Sequence, residues 1–188
     1  MNEPTTVLTD YALGAVAAWA AFQLLGQRVR SRFLWGIAFA ALAVGAFLGG
    51  TWHGFVHSEL LWKATVLSVG VTSFGMVTGS SLATMKSSAL PVLAGIKLVG
   101  YIGWMLFHDE FIYVVLDTGI ALLVVAALHL WKWNRRILAG VGLSVIAGLV
   151  QASGFTLHEH FNHNDLYHLI QIAGVVFLYQ GAKRLHSS

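Results

Sequence analysis

Seven long runs of apolar residues follow one another along this chain, and short polar connections separate them. Within each run the apolar residues are continuous rather than alternating, which favours helices over the strands of a membrane barrel. A helix needs about 20 such residues to cross the hydrocarbon core of a bilayer. The pattern predicts seven spanning helices, at about residues 6–26, 33–57, 60–84, 89–107, 110–131, 137–158 and 164–182.

The charged residues predict the direction of the chain. Nine of the 11 Lys and Arg residues follow odd-numbered spans: Arg28, Arg30, Arg32, Lys86, Lys132, Arg135, Arg136, Lys183 and Arg184. All eight acidic residues lie toward the opposite side. Because short cytoplasmic loops are enriched in Lys and Arg, we expect the N-terminus outside and the C-terminus in the cytoplasm. Only an odd number of spans preserves this partition.

Composition agrees with an all-α integral membrane protein of one domain. Hydrophobic residues make up 57% of the 188 residues and charged residues 10%, whereas soluble domains carry about 25% charged residues. The net charge of +3 comes from clusters beside the spans, so we expect membrane lipids as partners and no nucleic acid. The expected location is a bacterial inner membrane, with no cleavable signal peptide. The lack of cysteine excludes disulfides and thiolate metal sites.

Histidines concentrate on the same side as the acids. Seven of the nine fall there: His53, His57, His108, His158, His160, His163 and His168. His53 and His57, at the end of span 2, are four residues apart. That spacing places two imidazoles on one helix face, where they can hold a divalent metal. The alternative is a pair of interfacial histidines that face water and lipid headgroups.

The connection between spans 6 and 7 strengthens the metal hypothesis, because residues 158–168 contain four histidines and two acids. His163 and His168 are further candidate ligands, and His168 lies within span 7, where an ionisable residue indicates function. Asp165 suits the positive end of this helix, and Asn162 or Asn164 can cap it. A capping role for Asp165 does not exclude a catalytic one.

Three further ionisable residues stand out inside the predicted spans. Asp117 is about two turns into span 5, Lys97 is embedded in span 4, and Asp10 lies early in span 1. Lys97 can extend its long side chain toward the membrane surface or pair with an acid. Asp117 is a second candidate, beside Asp165, for a general base or for a group that orients a metal ligand.

This layout resembles the superfamily of alkaline ceramidases and progestin/adipoQ receptors, which comprises seven-span intramembrane zinc hydrolases and related receptors. Its members carry Ser-x-x-x-His near the end of span 2, Asp in span 3 and His-x-x-x-His at the start of span 7. The resemblance implies zinc on three histidines, with water as the fourth ligand. The resemblance in topology covers the whole chain, whereas the resemblance in sequence rests on a few residues.

The histidines of this sequence fall on the family motif as follows. His57 falls on the histidine of span 2, and His53 takes the place of the serine. His168 falls on the second histidine of span 7; the first falls on Asn164, with His163 one place earlier. Span 3 of this sequence contains no acid, so the Asp that the family carries there has no counterpart. Asp117 in span 5 is a candidate to take its role.

Several functions fit these observations. The leading hypothesis is a zinc-dependent hydrolase of a lipid amide or ester near the outer face, with ligands from His53, His57, His163 and His168. A non-enzymatic receptor or metal-binding protein on the same scaffold is the alternative. A haem-b protein with histidines of spans 2 and 7 as axial ligands is a further one. Proton or ion translocation ranks last, because the ionisable groups gather at one end.

Overall fold

The computed structural model of the protein describes residues 3–85, 87–158 and 161–186, so Lys86, Glu159 and His160 lie outside the described residues. The described residues form seven helices and no strand, which confirms the predicted all-α fold. The helices are α1 (Pro4–Leu25), α2 (Arg30–Gly54), α3 (Glu59–Thr84), α4 (Ala89–Met105), α5 (Phe111–Trp131), α6 (Arg135–Ser153) and α7 (His163–Ala182).

Two helices end three or more residues earlier than the apolar pattern predicts. The helix α2 ends at Gly54, where glycine lowers the helix propensity and Ser58 already caps α3 by accepting from the backbone N–H of Leu61. His57 therefore lies beyond the helix, and the prediction that His53 and His57 share one helix face is wrong. The helix α6 ends at Ser153, because Gly154 adopts the left-handed conformation (φ 65°) that commonly terminates helices.

Six helices form a closed ring. Around it, α1 packs on α2, α2 on α3, α3 on α5, α5 on α6, α6 on α7, and α7 on α1. The helix α4 lies outside the ring and packs mainly on α3. Glycines allow close approach: a Cβ at Gly140 of α6 would lie 2.8 Å from the backbone nitrogen of Leu178 in α7. Small residues of this kind are typical of helix contacts in membranes.

Within the described residues, five helices are long and apolar enough to cross a membrane, namely α1, α2, α3, α5 and α6. The apolar helix α4 is shorter, with 17 residues, and α7 begins with the polar residues His163, Asn164 and Asp165. Large apolar side chains such as Phe22 and Leu123 point out of the bundle, 79% and 72% exposed. These features fit an integral, multi-pass membrane protein.

The two ends of the bundle differ in character. The odd-numbered helices begin at the same end, because Asp10 of α1, Trp62 of α3, Phe111 of α5 and His168 of α7 surround one cavity. We call this the histidine end, since His53, His163 and His168 lie there. Toward the other end, large buried apolar residues fill the core, among them Leu24, Trp35, Val125, Ile137 and Leu178.

Candidate functional site

His168 of α7 is held by two consecutive residues of α1. Its Nε2 lies 3.0 Å from Asp10 Oδ1, and its Nδ1 lies 3.0 Å from Thr9 Oγ1. All three residues are buried. A carboxylate oxygen accepts hydrogen bonds from ring N–H groups, so Nε2 is the donor in the contact with Asp10. The imidazole is thereby fixed in position between α1 and α7.

A cavity of about 370 Å³ lies beside this pair at the histidine end. Asp10 lines it from α1, His53 from α2, and His163 and His168 from α7. Three of the four histidines predicted as metal ligands therefore face one space. Aromatic residues complete the wall, notably Trp52 and Trp62, whose ring centroids are 5.2 Å apart.

The two histidines of the segment that ends α2 have different surroundings. His53 lines the cavity, and its Nδ1 lies 3.1 Å from Glu3 Oε2. His57 is exposed and packs its ring against Trp52, at a centroid distance of 4.7 Å. His57 does not line the cavity. The histidine that the family resemblance selects is thus the one that lies apart from the others.

Two buried polar atoms at this site lack a hydrogen-bond partner among the described residues. They are Asp10 Oδ2 and His163 Nδ1. Buried polar atoms in proteins are nearly always bonded to another group or to ordered water. Because both residues line the cavity, the unpaired atoms indicate a place for water, an ion or a polar group of a ligand.

The start of α7 is fixed by a capping box. Asn162 Oδ1 accepts from the backbone N–H of Asn164 (2.8 Å) and of Asp165 (3.4 Å), and Asp165 Oδ2 accepts from the backbone N–H of Asn162 (2.7 Å). This confirms the predicted cap and the predicted place of Asp165 at the helix N-terminus. Asp165 is buried but does not line the cavity.

Asp117 lies apart from the histidines and pairs with Lys97. The ammonium of Lys97 is 2.6 Å from Asp117 Oδ1 and 3.1 Å from the backbone oxygen of Asp117. The expectation that Lys97 can pair with an acid is confirmed. Asp117 does not line the histidine cavity.

The model of DUF6962, a family of unknown function, matches residues 5–187. The chain belongs to this family. The DUF6962 match includes every residue that lines the histidine cavity. Comparisons with curated proteins and with solved structures gave no match.

The side chains that the structure describes around the cavity of this DUF6962 chain are of the types that bind zinc, but they are not arranged as a zinc site. Imidazole and carboxylate are ordinary zinc ligands, and two of these side chains keep a buried unpaired atom beside the cavity. Across residues 3–85, 87–158 and 161–186, however, no three His, Asp or Glu side chains are arranged to hold a metal ion. A metal here would require these side chains to rearrange, including release of His168 Nδ1 from Thr9.

Sequence reasoning missed Thr9 and gave Asp10 only a minor place. Thr9 lies within an apolar run, where a threonine most often bonds its own helix, and its Oγ1 is indeed 3.1 Å from the carbonyl oxygens of Thr5 and Thr6. Nothing in the sequence shows that α1 and α7 are neighbours. Asp10 was recognisable as an acid near the start of a span, the same signal that singled out Asp117.

Proposed function

We propose that this protein is an intramembrane, metal-dependent hydrolase that acts on a lipid amide or ester at the histidine end. The observation that carries the proposal is the cavity of about 370 Å³ that collects His53, His163, His168 and Asp10 from three helices. The resemblance to the ceramidase and receptor superfamily supplies the reaction class. Zinc is the metal that the donor types favour.

In this proposal His53, His163 and His168 hold the metal. Asp10 orients the ring of His168 through Oδ1, as carboxylates commonly do for zinc-bound histidines. Bound zinc would lower the pKa of a water ligand to about 7 and so supply hydroxide near neutral pH. Because Asp10 holds Nε2, the metal would take Nδ1 in place of Thr9. Asp10 Oδ2, which is buried and without a partner in the described part of the chain, is suited to accept a proton, as general base, from a water molecule or substrate group in the cavity.

The general-base role passes from the two acids predicted for it to Asp10. One carboxylate oxygen of Asp165 accepts a hydrogen bond in the helix cap, and Asp117 binds Lys97. Among the acids that the structure describes, Asp10 is the one that lines the cavity. We therefore expect substitutions of Asp165 and Asp117 to act through folding, and substitution of Asp10 to act on the reaction.

The proposal also includes the topology. All seven helices cross a bacterial inner membrane, the N-terminus is outside and the C-terminus is cytoplasmic. The arginines and lysines that follow the odd-numbered spans support this direction. The histidine end then lies at the outer face, so the substrate is a lipid of the outer leaflet of that membrane.

The first test is the metal content of the detergent-purified chain after incubation with zinc, in wild type and in His53→Ala, His163→Ala and His168→Ala. We expect about one zinc per chain in wild type and a loss in all three variants. His57→Ala is the matched control, since His57 does not line the cavity and should leave zinc binding intact. Zinc-dependent release of fatty acid from lipid amides or esters would complete the case.

Three results would contradict the proposal in whole or in part. Wild type that binds no zinc excludes a zinc-dependent enzyme. Zinc loss in His57→Ala with retention in His53→Ala would favour the ligand set of the resemblance over the cavity. Bound zinc without hydrolysis of any lipid amide or ester would remove the enzymatic part alone.

A second candidate is a non-enzymatic receptor or binding protein on the same scaffold. One observation favours it: both ring nitrogens of His168 are already engaged, by Thr9 and by Asp10. If His168 retains these partners, the cavity is a polar binding site rather than a metal centre. Ligand binding that persists in the presence of a chelator, without turnover, would distinguish this function.

A further inference from the structure

A second cavity lies outside the ring of helices, in the angle between α3, α4 and α5. Its volume is about 240 Å³. The helix α4 packs mainly on α3, and residues at the mouth, such as Leu93 and Ile120, are more than half exposed. We call this cavity the α4 cleft. It opens toward the surface that surrounding lipid would cover, and it is separate from the histidine cavity.

The α4 cleft has one polar end and a long apolar end. Its polar lining consists of Lys97 from α4 and Ser73 from α3, and the apolar lining includes Phe74, Val77, Leu90 and Val124. From Lys97 to Leu90 is seven residues, or about 10 Å along a helix axis. Leu90 lies near the start of α4. The polar end is therefore the one nearer the histidine end of the bundle.

Two hydrogen-bond donors at the polar end are available to a ligand. An ammonium group has three N–H donors, and Asp117 takes up two of them through Oδ1 and the backbone oxygen. The hydroxyl of Ser73 is 1% exposed and has no hydrogen-bond partner among the described residues. A buried hydroxyl without a partner costs about 1–3 kcal/mol, so an acceptor supplied by a ligand would stabilise it.

The charges beside the α4 cleft determine whether an anionic or a neutral hydrogen-bond acceptor binds better. Asp117, whose side chain is 4% exposed, neutralises Lys97 at 2.6 Å. An anionic headgroup would leave a net negative charge beside a buried carboxylate in a medium of low dielectric constant, which is costly. A neutral carbonyl oxygen has two lone pairs and can accept from both Lys97 and Ser73 without adding charge.

We propose that the α4 cleft is a binding site for a neutral single-chain lipid that carries a carbonyl group at its head. The carbonyl oxygen accepts from Lys97 Nζ and Ser73 Oγ, and the chain extends between α4 and α5 toward Leu90 and Val124. The site does not depend on the metal or on hydrolysis at the histidine end.

Photo-crosslinking of the full chain in detergent tests this proposal with three probes. Each has a sixteen-carbon chain with a diazirine at mid-chain, and the heads are a primary amide, a carboxylate and a methyl group. We expect the amide to label α3, α4 or α5 at the cleft, with saturation and competition by unlabelled amide. At alkaline pH, where the acid is ionised, the carboxylate should label more weakly, and the alkane should label without saturation.

Two serine variants test whether the Ser73 hydroxyl contributes to amide binding in the α4 cleft. Ser73→Ala removes one donor and should weaken amide labelling about fivefold, the value of one hydrogen bond. Ser80→Ala is the matched control, because Ser80 is also a buried, unpaired hydroxyl of α3 but does not line the cleft. Equal labelling by amide and alkane would reduce the cleft to a crevice filled by any lipid chain. Preference for the carboxylate, no labelling, or equal effects of the two serines would also overturn the proposal.

Discussion

Two buried acid–base pairs at similar depth divide the molecule into contrasting regions. Asp10 lies six residues after the first residue of α1, and Asp117 lies six residues after the first residue of α5, about 9 Å into each helix. Asp10 pairs with His168 at 3.0 Å inside the ring, and both side chains are 7% exposed. Asp117 pairs with Lys97 at 2.6 Å beside the α4 cleft, where Lys97 is 30% exposed.

The difference lies in what each base becomes when its acid is removed. An imidazole can remain as a neutral group that both donates and accepts hydrogen bonds, whereas the lysine side chain has an ammonium that only donates. The pair of Asp10 and His168 is thus suited to chemistry, because a neutral imidazole can also bind a metal. The pair of Asp117 and Lys97 is suited to holding α4 on the ring, with a fixed charge on each partner.

The largest effect should follow from Asp117→Leu. This substitution leaves the Lys97 ammonium without its partner in an apolar environment, and breaking a buried ion pair costs about 3–5 kcal/mol. The partial exposure of Lys97 places the expected loss at the lower end of that range. Unfolding in a titration with SDS, followed by circular dichroism, gives the change in free energy. Unchanged stability would show that the Lys97 ammonium reaches the membrane surface and needs no partner such as Asp117.

A smaller effect is expected for Asp10→Leu. His168 remains as a neutral imidazole that keeps the Thr9 contact and loses one hydrogen bond, which costs about 1–3 kcal/mol for a buried donor. The same SDS titration compares the two leucine variants directly. If Asp10→Leu proved as destabilising as Asp117→Leu, His168 would be a fixed cation, and the contrast between the two pairs would disappear.

Loss of the α7 cap should cost less again and should affect only one of the two regions. Asn162→Ala removes the acceptor for two backbone N–H groups, and such cap substitutions cost about 1 kcal/mol. The cap positions His163 and His168, so the variant should also weaken zinc binding. Lipid labelling in the α4 cleft should stay unchanged, since α7 does not line it. Reduced labelling would show that the two regions are coupled.

The features that depend on local order along the chain were predictable from the sequence. Continuous apolar runs predicted the helices, and the polar residues at the start of α7 predicted a cap by Asn162 or Asn164, because both depend on neighbours within one turn. The end of α2 was predicted three residues too late. Three glycines and a serine cap favour the earlier end, but each contributes only a small local free energy, and the apolar run continues past them. That error placed His57 on a helix to which it does not belong.

Features that depend on which helices are neighbours were not predictable. Lys97 was expected to pair with an acid, but nothing in one sequence chooses among eight carboxylates. The closed ring and the outer position of α4 decide that Asp117 meets Lys97 and that Asp10 meets His168. Helix packing in membranes depends on small residues and shape, which many arrangements of seven apolar helices satisfy almost equally.

The smallest change in stability is expected for the double variant Lys97→Met with Asp117→Leu. Replacing a buried ion pair by apolar residues of similar size is often neutral, because the desolvation cost of both charges disappears together with their attraction. We expect stability within about 1 kcal/mol of wild type, with zinc binding at the histidine end retained. Amide labelling in the α4 cleft should fall to the level of the alkane probe, because the ammonium donor is gone. A double variant as unstable as Asp117→Leu would show that the ion pair itself, and not only the charge left behind when Asp117 is removed, is needed to hold α4 on the ring.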